Sequence, residues 1–238
     1  MNYVAGIKLR EKPDEYSYLS ELKAIQFLST VERISFNKPV TFFVGENGTG
    51  KSTLLESIAV LMGFNAEGGS RDFSFSTNDT HSELCEYMSV IKRKTPKDGF
   101  FLRAESFYNT ATYLEKNSNM LRYGGVSFHE QSHGESFLAL VENRFTGNGL
   151  YILDEPEAAL SPQRLMSLIV AIDELTKADS QLIIATHSPI LMAYPNSEIL
   201  ELSDKGIQRK NLKDTEHFII TKQFINNPER MIRYLLGT

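Results

Sequence analysis

A single cysteine, Cys85, stands among the 238 residues, so the chain forms no internal disulfide and no cysteine-based metal cage. A small buried apolar side chain is the role that suits it. Histidine is scarce as well. His81, His129, His133, His187 and His217 include no three at metal-ligand spacing, and no zinc site is assigned. No apolar run reaches the roughly 20 residues needed to span a bilayer, and the opening MNYVAGIKLREKPDE lacks the apolar centre of a signal peptide. These features lead us to expect a cytoplasmic protein with no direct membrane insertion, one that would need a partner for any work at a membrane. Basic charge is in deficit. At a net charge of −5, no global basic surface recruits nucleic acid or anionic lipid. A local basic knot, Lys92, Arg93, Lys94 and Lys97, reads first as a solvated face, with nucleic-acid contact the sharper alternative. Internal repeats and heptads are also missing.

What remains is an ordinary globular composition, 41% hydrophobic and 23% charged, in a chain long enough to bury a sizeable core. One domain over 1–238 is expected, with a smaller lobe within about 64–147. Buried strands are expected at 40–44, 99–103, 149–153 and 181–185, with helices at 54–61, 105–116, 136–145 and 161–177. Helices between apolar strands imply a largely parallel sheet with crossover helices. Strands at 3–9 and 34–36 form an N-terminal β layer, 199–202 and 206–209 a closing hairpin, and 215–226 and 228–236 terminal helices. Residues 64–81 and 121–128 read as loops, and 82–93 as a helix capped by Ser82. The stretch 18–27 is amphipathic, and its state is left open.

The chemistry begins at VTFFVGENGTGKST, residues 40–53, where an apolar strand opens into a glycine turn that leads into a helix. Gly45, Glu46, Asn47, Gly48, Thr49, Gly50, Lys51, Ser52 and Thr53 complete the pattern G-x-x-x-x-G-K-[ST] and the threonine after it. Three glycines let the backbone wrap closely enough for its N–H groups to face phosphates at a helix N-terminus. Lys51 supplies a point charge for those phosphates, and Ser52 a hydroxyl for Mg²⁺. Chance produces this pattern in roughly 1 chain in 100 of this length.

Two further strands end in polar clusters. LYILDEP, residues 150–156, closes with Asp154, suited to ordering a metal shell, and Glu155, suited to accepting a proton from attacking water. Successive strand residues point to opposite faces, so both carboxylates serve one site only if the chain turns, and Pro156 is expected to turn it. ATHSP, residues 185–189, places His187 where an imidazole contacts a γ-phosphate or orients water. Lastly, SHGES, residues 132–136, opens a helix 22 positions before Asp154. Ser132 and the amides after it could hold phosphate, although the same residues form a common helix cap.

In their order, these pieces resemble the ABC-type ATPase superfamily over most of the chain, and within it the soluble SMC/RecF-like branch. GENGTGKS is similar to its Walker A, SHGES to a divergent signature, YILDEPEAALS to Walker B with the D-loop, and THS to the switch-histidine loop. FFLRAESF, HEQSHGES and ATHSPILMAYP are similar to stretches of small bacterial AAA-family ATPases. The resemblance implies an ABC-ATPase-like P-loop α/β fold: a largely parallel core sheet with helices, an N-terminal antiparallel β layer and a small helical lobe. It also implies ATP and Mg²⁺, with Ser52 and Asp154 on the metal, Glu155 as general base and His187 at the γ-phosphate. Each ATP would lie between the P-loop of one subunit and Ser132, Gly134 and Glu135 of another, with Ala158, Ala159 and Leu160 passing between sites. An ATP-dependent homodimer acting on nucleic acid or a partner protein, in DNA maintenance or defence, is expected. The alternatives are a transporter's nucleotide-binding subunit and a slow ATP-dependent switch. Three departures stand out: the signature lacks its leucine and paired glycines, no room exists for coiled-coil arms between Walker A and the signature, and no glutamine-loop is placed, since Gln131 lies beside the signature while Arg103 and Glu105 occupy the region where that loop is expected.

Overall fold

In this computed structural model, the described residues are 2–70, 82–117 and 127–237. The chain opens with strand β1 (Val4–Leu9), and after a 3₁₀ turn, Tyr18–Glu21, come α1 (Lys23–Leu28) and β2 (Ile34–Ser35). The P-loop strand β3 (Val40–Gly45) feeds α2 (Lys51–Leu61), followed by α3 (Leu84–Tyr87), β4 (Met88–Lys92), β5 (Asp98–Arg103) and α4 (Phe107–Asn117). Then come α5 (His133–Arg144), β6 (Gly149–Asp154), α6 (Pro162–Lys177), β7 (Gln181–Ala185) and α7 (Pro189–Met192). A hairpin of β8 (Ser197–Ser203) and β9 (Gly206–Lys210) leads to α8 (Glu216–Asn226) and α9 (Pro228–Leu236).

Six strands make the core sheet in the order β5-β6-β7-β3-β8-β9, parallel except at β9. The order places the ends of β3, β6 and β7 side by side, and so gathers the three polar strand ends read from the sequence. Both faces of the sheet are buried along β5, β6, β7 and β3, which explains why these strands are nearly continuous apolar runs. Alternation divides them between two cores. Phe42, Phe100, Tyr151 and Leu153 pack with Phe137, Leu168 and Ile172 on one side. Phe43, Phe101, Leu150 and Ile152 pack with Leu54, Ile58 and Ile7 on the other.

Because both faces are apolar, the register rests on polar pins. Asp98, at the start of β5, accepts bonds from Tyr151 Oη at 2.8 Å and Arg144 Nη1 at 2.8 Å. Gln181 Oε1 accepts from the Tyr3 and Val4 amides at 2.8 and 2.9 Å, tying β7 to the N-terminal layer.

That layer is the antiparallel sheet β2-β1-β4, and its third strand corrects an expectation. The helix predicted over 82–93 is a short turn, α3, followed by strand β4, which pairs with β1 from Leu9↔Met88 to Val4↔Lys92. Residues 88–92, MSVIK, hold β-branched Val90 and Ile91, and the free edge of β1 gives their backbone a ladder. The stretch left open resolves into the 3₁₀ turn and α1, while α5 starts at His133, earlier than the predicted 136. Of the predicted loops, 71–81 and 121–126 lie outside the described residues, as does Arg71.

Candidate nucleotide site

The P-loop follows β3 directly. Gly45, Gly48 and Gly50 all have positive φ, and a Cβ on Gly45 would lie 2.3 Å from the Leu202 carbonyl oxygen. Only glycine permits that approach to β8. Thr49 Oγ1 donates to the Glu46 carbonyl at 2.8 Å, and the Thr49 carbonyl accepts from the Ala24 amide at 3.1 Å, docking the loop on α1. Lys51 is 4% exposed, and its ammonium donates to the carbonyls of Gly45 at 2.8 Å and Glu46 at 3.1 Å. Burial lowers its pKa against the pull of Glu155 and Asp154. The ammonium is thus held inside the loop, where it can exchange carbonyl oxygens for phosphate oxygens.

Ser52, in the first turn of α2, donates its Oγ–H to Asp154 Oδ1 at 3.0 Å. The other Asp154 oxygen accepts from Arg103 Nε at 3.1 Å, and Arg103 Nη1 reaches Glu56 at 3.1 Å. Register explains the first contact, since Arg103 and Asp154 are direct partners on β5 and β6. Asp154 is only 3% exposed; burial pushes its pKa up to about 6, with Arg103 and Ser52 opposing the rise. A buried carboxylate beside a hydroxyl is an oxygen donor set suited to a hard divalent cation. Among the described residues, no three His, Cys, Asp or Glu groups form a self-sufficient metal cage.

The turn after β6 forms one residue earlier than expected. Glu155 itself takes a left-handed backbone, φ 48° and ψ 53°, its N–H bonded to the Ala185 carbonyl at 3.0 Å, and Pro156 starts the 3₁₀ turn Pro156–Ala158. A non-glycine residue there costs about 1–3 kcal/mol, and the turn brings Glu155 to the P-loop. With Asn47, Gly48, Lys51, Ser52, Thr53 and Glu105, it lines a cavity of about 270 Å³. His187 Nε2 stands 3.3 Å from Glu155 Oε1. Glu157 holds the strand end behind it, accepting from Thr186 Oγ1 at 2.8 Å and from the His187 amide.

Sequence reasoning did not single out Glu157, Glu56 or the Arg103–Asp154 pair, and it named His217 only among the five histidines. His217 Nε2 lies 2.8 Å from His187 Nδ1. Of the glutamine-loop candidates, Glu105 joins the P-loop cavity, Arg103 engages Asp154, and Gln131 lines a separate cavity beside α4 and α5. Ser132, Gly134 and Glu135 are not among the lining of the P-loop cavity. Ser132 and Glu135 close a capping box at the start of α5: Glu135 Oε2 accepts from the Ser132 amide at 2.9 Å and hydroxyl at 2.7 Å. Its other oxygen pairs with Arg164 at 2.9 Å. Gly134 packs under the turn after β6, where a Cβ would meet the Ala159 carbonyl oxygen at 2.9 Å.

A P-loop, two strand-end carboxylates and a strand-end histidine, set on a largely parallel sheet with an antiparallel layer, make this an ABC-ATPase-like P-loop fold. Residues 121–193, less than half of the chain, match the family described as "AAA domain, putative AbiEii toxin, Type IV TA system". Among solved structures, cbiO1 from Clostridium perfringens, part of the ABC transporter complex cbiONQ, is 16% identical, with all of both chains covered and a TM-score of 0.50. The SMC head domain from Thermotoga maritima is 17% identical, covering 75% of this chain and 92% of its own, with a TM-score of 0.41. No curated protein matches the sequence. Among the described residues, no helix is long and apolar enough to cross a membrane.

Proposed function

We propose that the protein binds ATP with Mg²⁺ and hydrolyses it, as a head-to-tail homodimer that acts on a partner protein or nucleic acid. The observation that carries this reading is the Ser52–Asp154 pair at 3.0 Å, beside a cavity that Lys51 and Glu155 line together. Lys51 binds the phosphates in place of its loop carbonyls, and the P-loop amides at the start of α2 complete the cradle. Ser52 and Asp154 hold Mg²⁺, which neutralises phosphate charge when bound. Glu155 takes the proton of the attacking water as its oxygen bonds to the γ-phosphorus and the bond to the β-phosphate oxygen breaks. His187 stands against Glu155 and orients the reacting groups. Glu105 lies in the same cavity, in the region where the resemblance expects a glutamine.

The homodimer reading rests on one P-loop and one SHGES helix start per chain. A two-fold axis would let each subunit give one half-site and receive the other. Ser132 and Gly134 would then approach the neighbour's phosphate, and Ala158 to Leu160 would lie between the sites. The toxin–antitoxin system in the matched family's description favours a protein partner in defence.

The test is Glu155→Gln, which keeps shape but removes the base. Turnover is expected to fall about 100-fold with ATP affinity retained, and light scattering should show a dimer with ATP and Mg²⁺ and a monomer without. Turnover at the parent rate would remove Glu155 from the mechanism. A mutant that binds ATP yet stays monomeric would move the missing half-site to another protein.

A further inference from the structure

Among the described residues, the imidazole of His187 faces two side chains. Its Nε2 faces Glu155 Oε1 at 3.3 Å, and its Nδ1 faces His217 Nε2 at 2.8 Å, with the rings 4.9 Å apart and tilted by 57°. His217 lies in the first turn of α8, whose start is fixed by Thr215 Oγ1, accepting from the Phe218 amide at 3.4 Å, and by Glu201, accepting from the Glu216 amide at 3.1 Å. The far nitrogen of His217, Nδ1, is buried and has no hydrogen-bond partner among the described residues. Burial first, then the neighbouring His187, lowers the pKa of His217 and favours its neutral form.

A 2.8 Å contact between two neutral imidazoles holds one proton, so one ring donates and the other accepts. If His187 donated from Nδ1, its Nε2 would turn a lone pair toward the Glu155 carboxylate. His217 would then carry its own proton on Nδ1, a nitrogen that lacks a partner among the described residues in either tautomer. The opposite arrangement removes the clash of lone pair and carboxylate. His217 donates from Nε2, His187 accepts at Nδ1 and turns its Nε2–H toward the Glu155 carboxylate, and His217 Nδ1 is a bare lone pair. The Glu155 contact therefore selects these tautomers.

We propose that His217 is a positioning residue that fixes His187 as the Nε2–H tautomer, so that the imidazole always presents a donor to Glu155 and the reacting groups. The catalytic half of this inference rests on the ATPase reading above; the tautomer half stands without it. The residue arrives from α8, outside the three strand-end motifs, and so makes the seating of the C-terminal helices a condition for correct His187 chemistry.

The experiment uses the full chain labelled with ¹⁵N-histidine, without nucleotide, at a pH where both rings are neutral. Long-range ¹H–¹⁵N correlations, assigned with His187→Gln and His217→Gln, should show His187 protonated on Nε2 and His217 on Nε2. In His217→Leu, which cannot donate, His187 should become a mixture of tautomers. In His217→Gln, whose amide can donate, it should stay Nε2–H. With ATP, His217→Leu should lower kcat about tenfold at an unchanged KM, and His217→Gln should restore most of it. A parent His187 protonated on Nδ1 overturns the proposal, as does a leucine variant that keeps the parent kcat. A parent without any ATPase activity would overturn the function above instead, and the tautomers would still decide the role of His217.

Discussion

Two helix N-termini in this molecule are both read from sequence as phosphate sites, and the structure makes them opposites. α2 begins after Gly50, which offers no capping side chain, and has no acidic residue in its first turn. Its free N–H groups and positive dipole end face the P-loop cavity. α5 begins after Ser132 with a closed capping box, and carries Glu135 in its first turn. The hydrogen bonds from Ser132, then the Arg164 guanidinium, hold the Glu135 carboxyl down at about 2. One helix start is left open for an anion from outside, and the other already holds an anion of its own. To receive a neighbour's phosphate, α5 must release Glu135 from Ser132, whereas α2 needs only its lysine to change acceptors.

The largest effect expected from this contrast is at the open end. Lys51→Ala should weaken ATP binding about 100-fold, or about 2.7 kcal/mol, by calorimetric titration, with the circular dichroism spectrum unchanged. Equal affinity would mean that the phosphates sit elsewhere. At the closed end, Gly134→Ala places a methyl 2.9 Å from the Ala159 carbonyl oxygen and 3.0 Å from Arg164 Cδ. It should destabilise the chain by about 1–3 kcal/mol, read from urea unfolding. Ser132→Ala removes the capping hydroxyl and should cost about 1 kcal/mol in the same assay, leaving ATP binding to the isolated subunit untouched. The smallest effect is one of pH. Because Glu135 sits at about 2 in the folded chain against 4.5 ordinarily, its contribution is complete above pH 4.5 and drains away as pH falls toward 2. Comparing pH profiles of stability for the parent and Glu135→Gln isolates this slope; identical profiles would dissolve the capping box.

The open end was legible because its requirements are local. Gly45, Gly50 and Lys51 act within a few residues of one another, and the strand before them is apolar on both faces. The closed end was half legible: the Ser132 and Glu135 spacing is that of a cap, and the structure shows the cap in the single chain. Strand β4 was missed because 82–93 satisfies a helical pattern, and only the distant edge of β1 decides otherwise. Glu157 and Arg103 acquire their partners through a turn and a neighbouring strand, and neither belongs to a compact motif. His217 lies 30 residues from His187 and carries no local signal beyond being a histidine.

The pins at the start of β5 bear on the site at its other end. Asp98 pairs with Gly149 where the two strands begin, and Arg103 pairs with Asp154 where they finish. Between them lie Phe100, Phe101, Leu102, Tyr151, Ile152 and Leu153, all fully buried, so a slip of one strand past the other would exchange one greasy neighbour for another. The hydrophobic pattern is blind to such an error. The hydrogen bond from Tyr151 to Asp98 is not, and it acts as a vernier: by clamping the strands at the foot of the sheet, it sets which guanidinium meets Asp154 at the top.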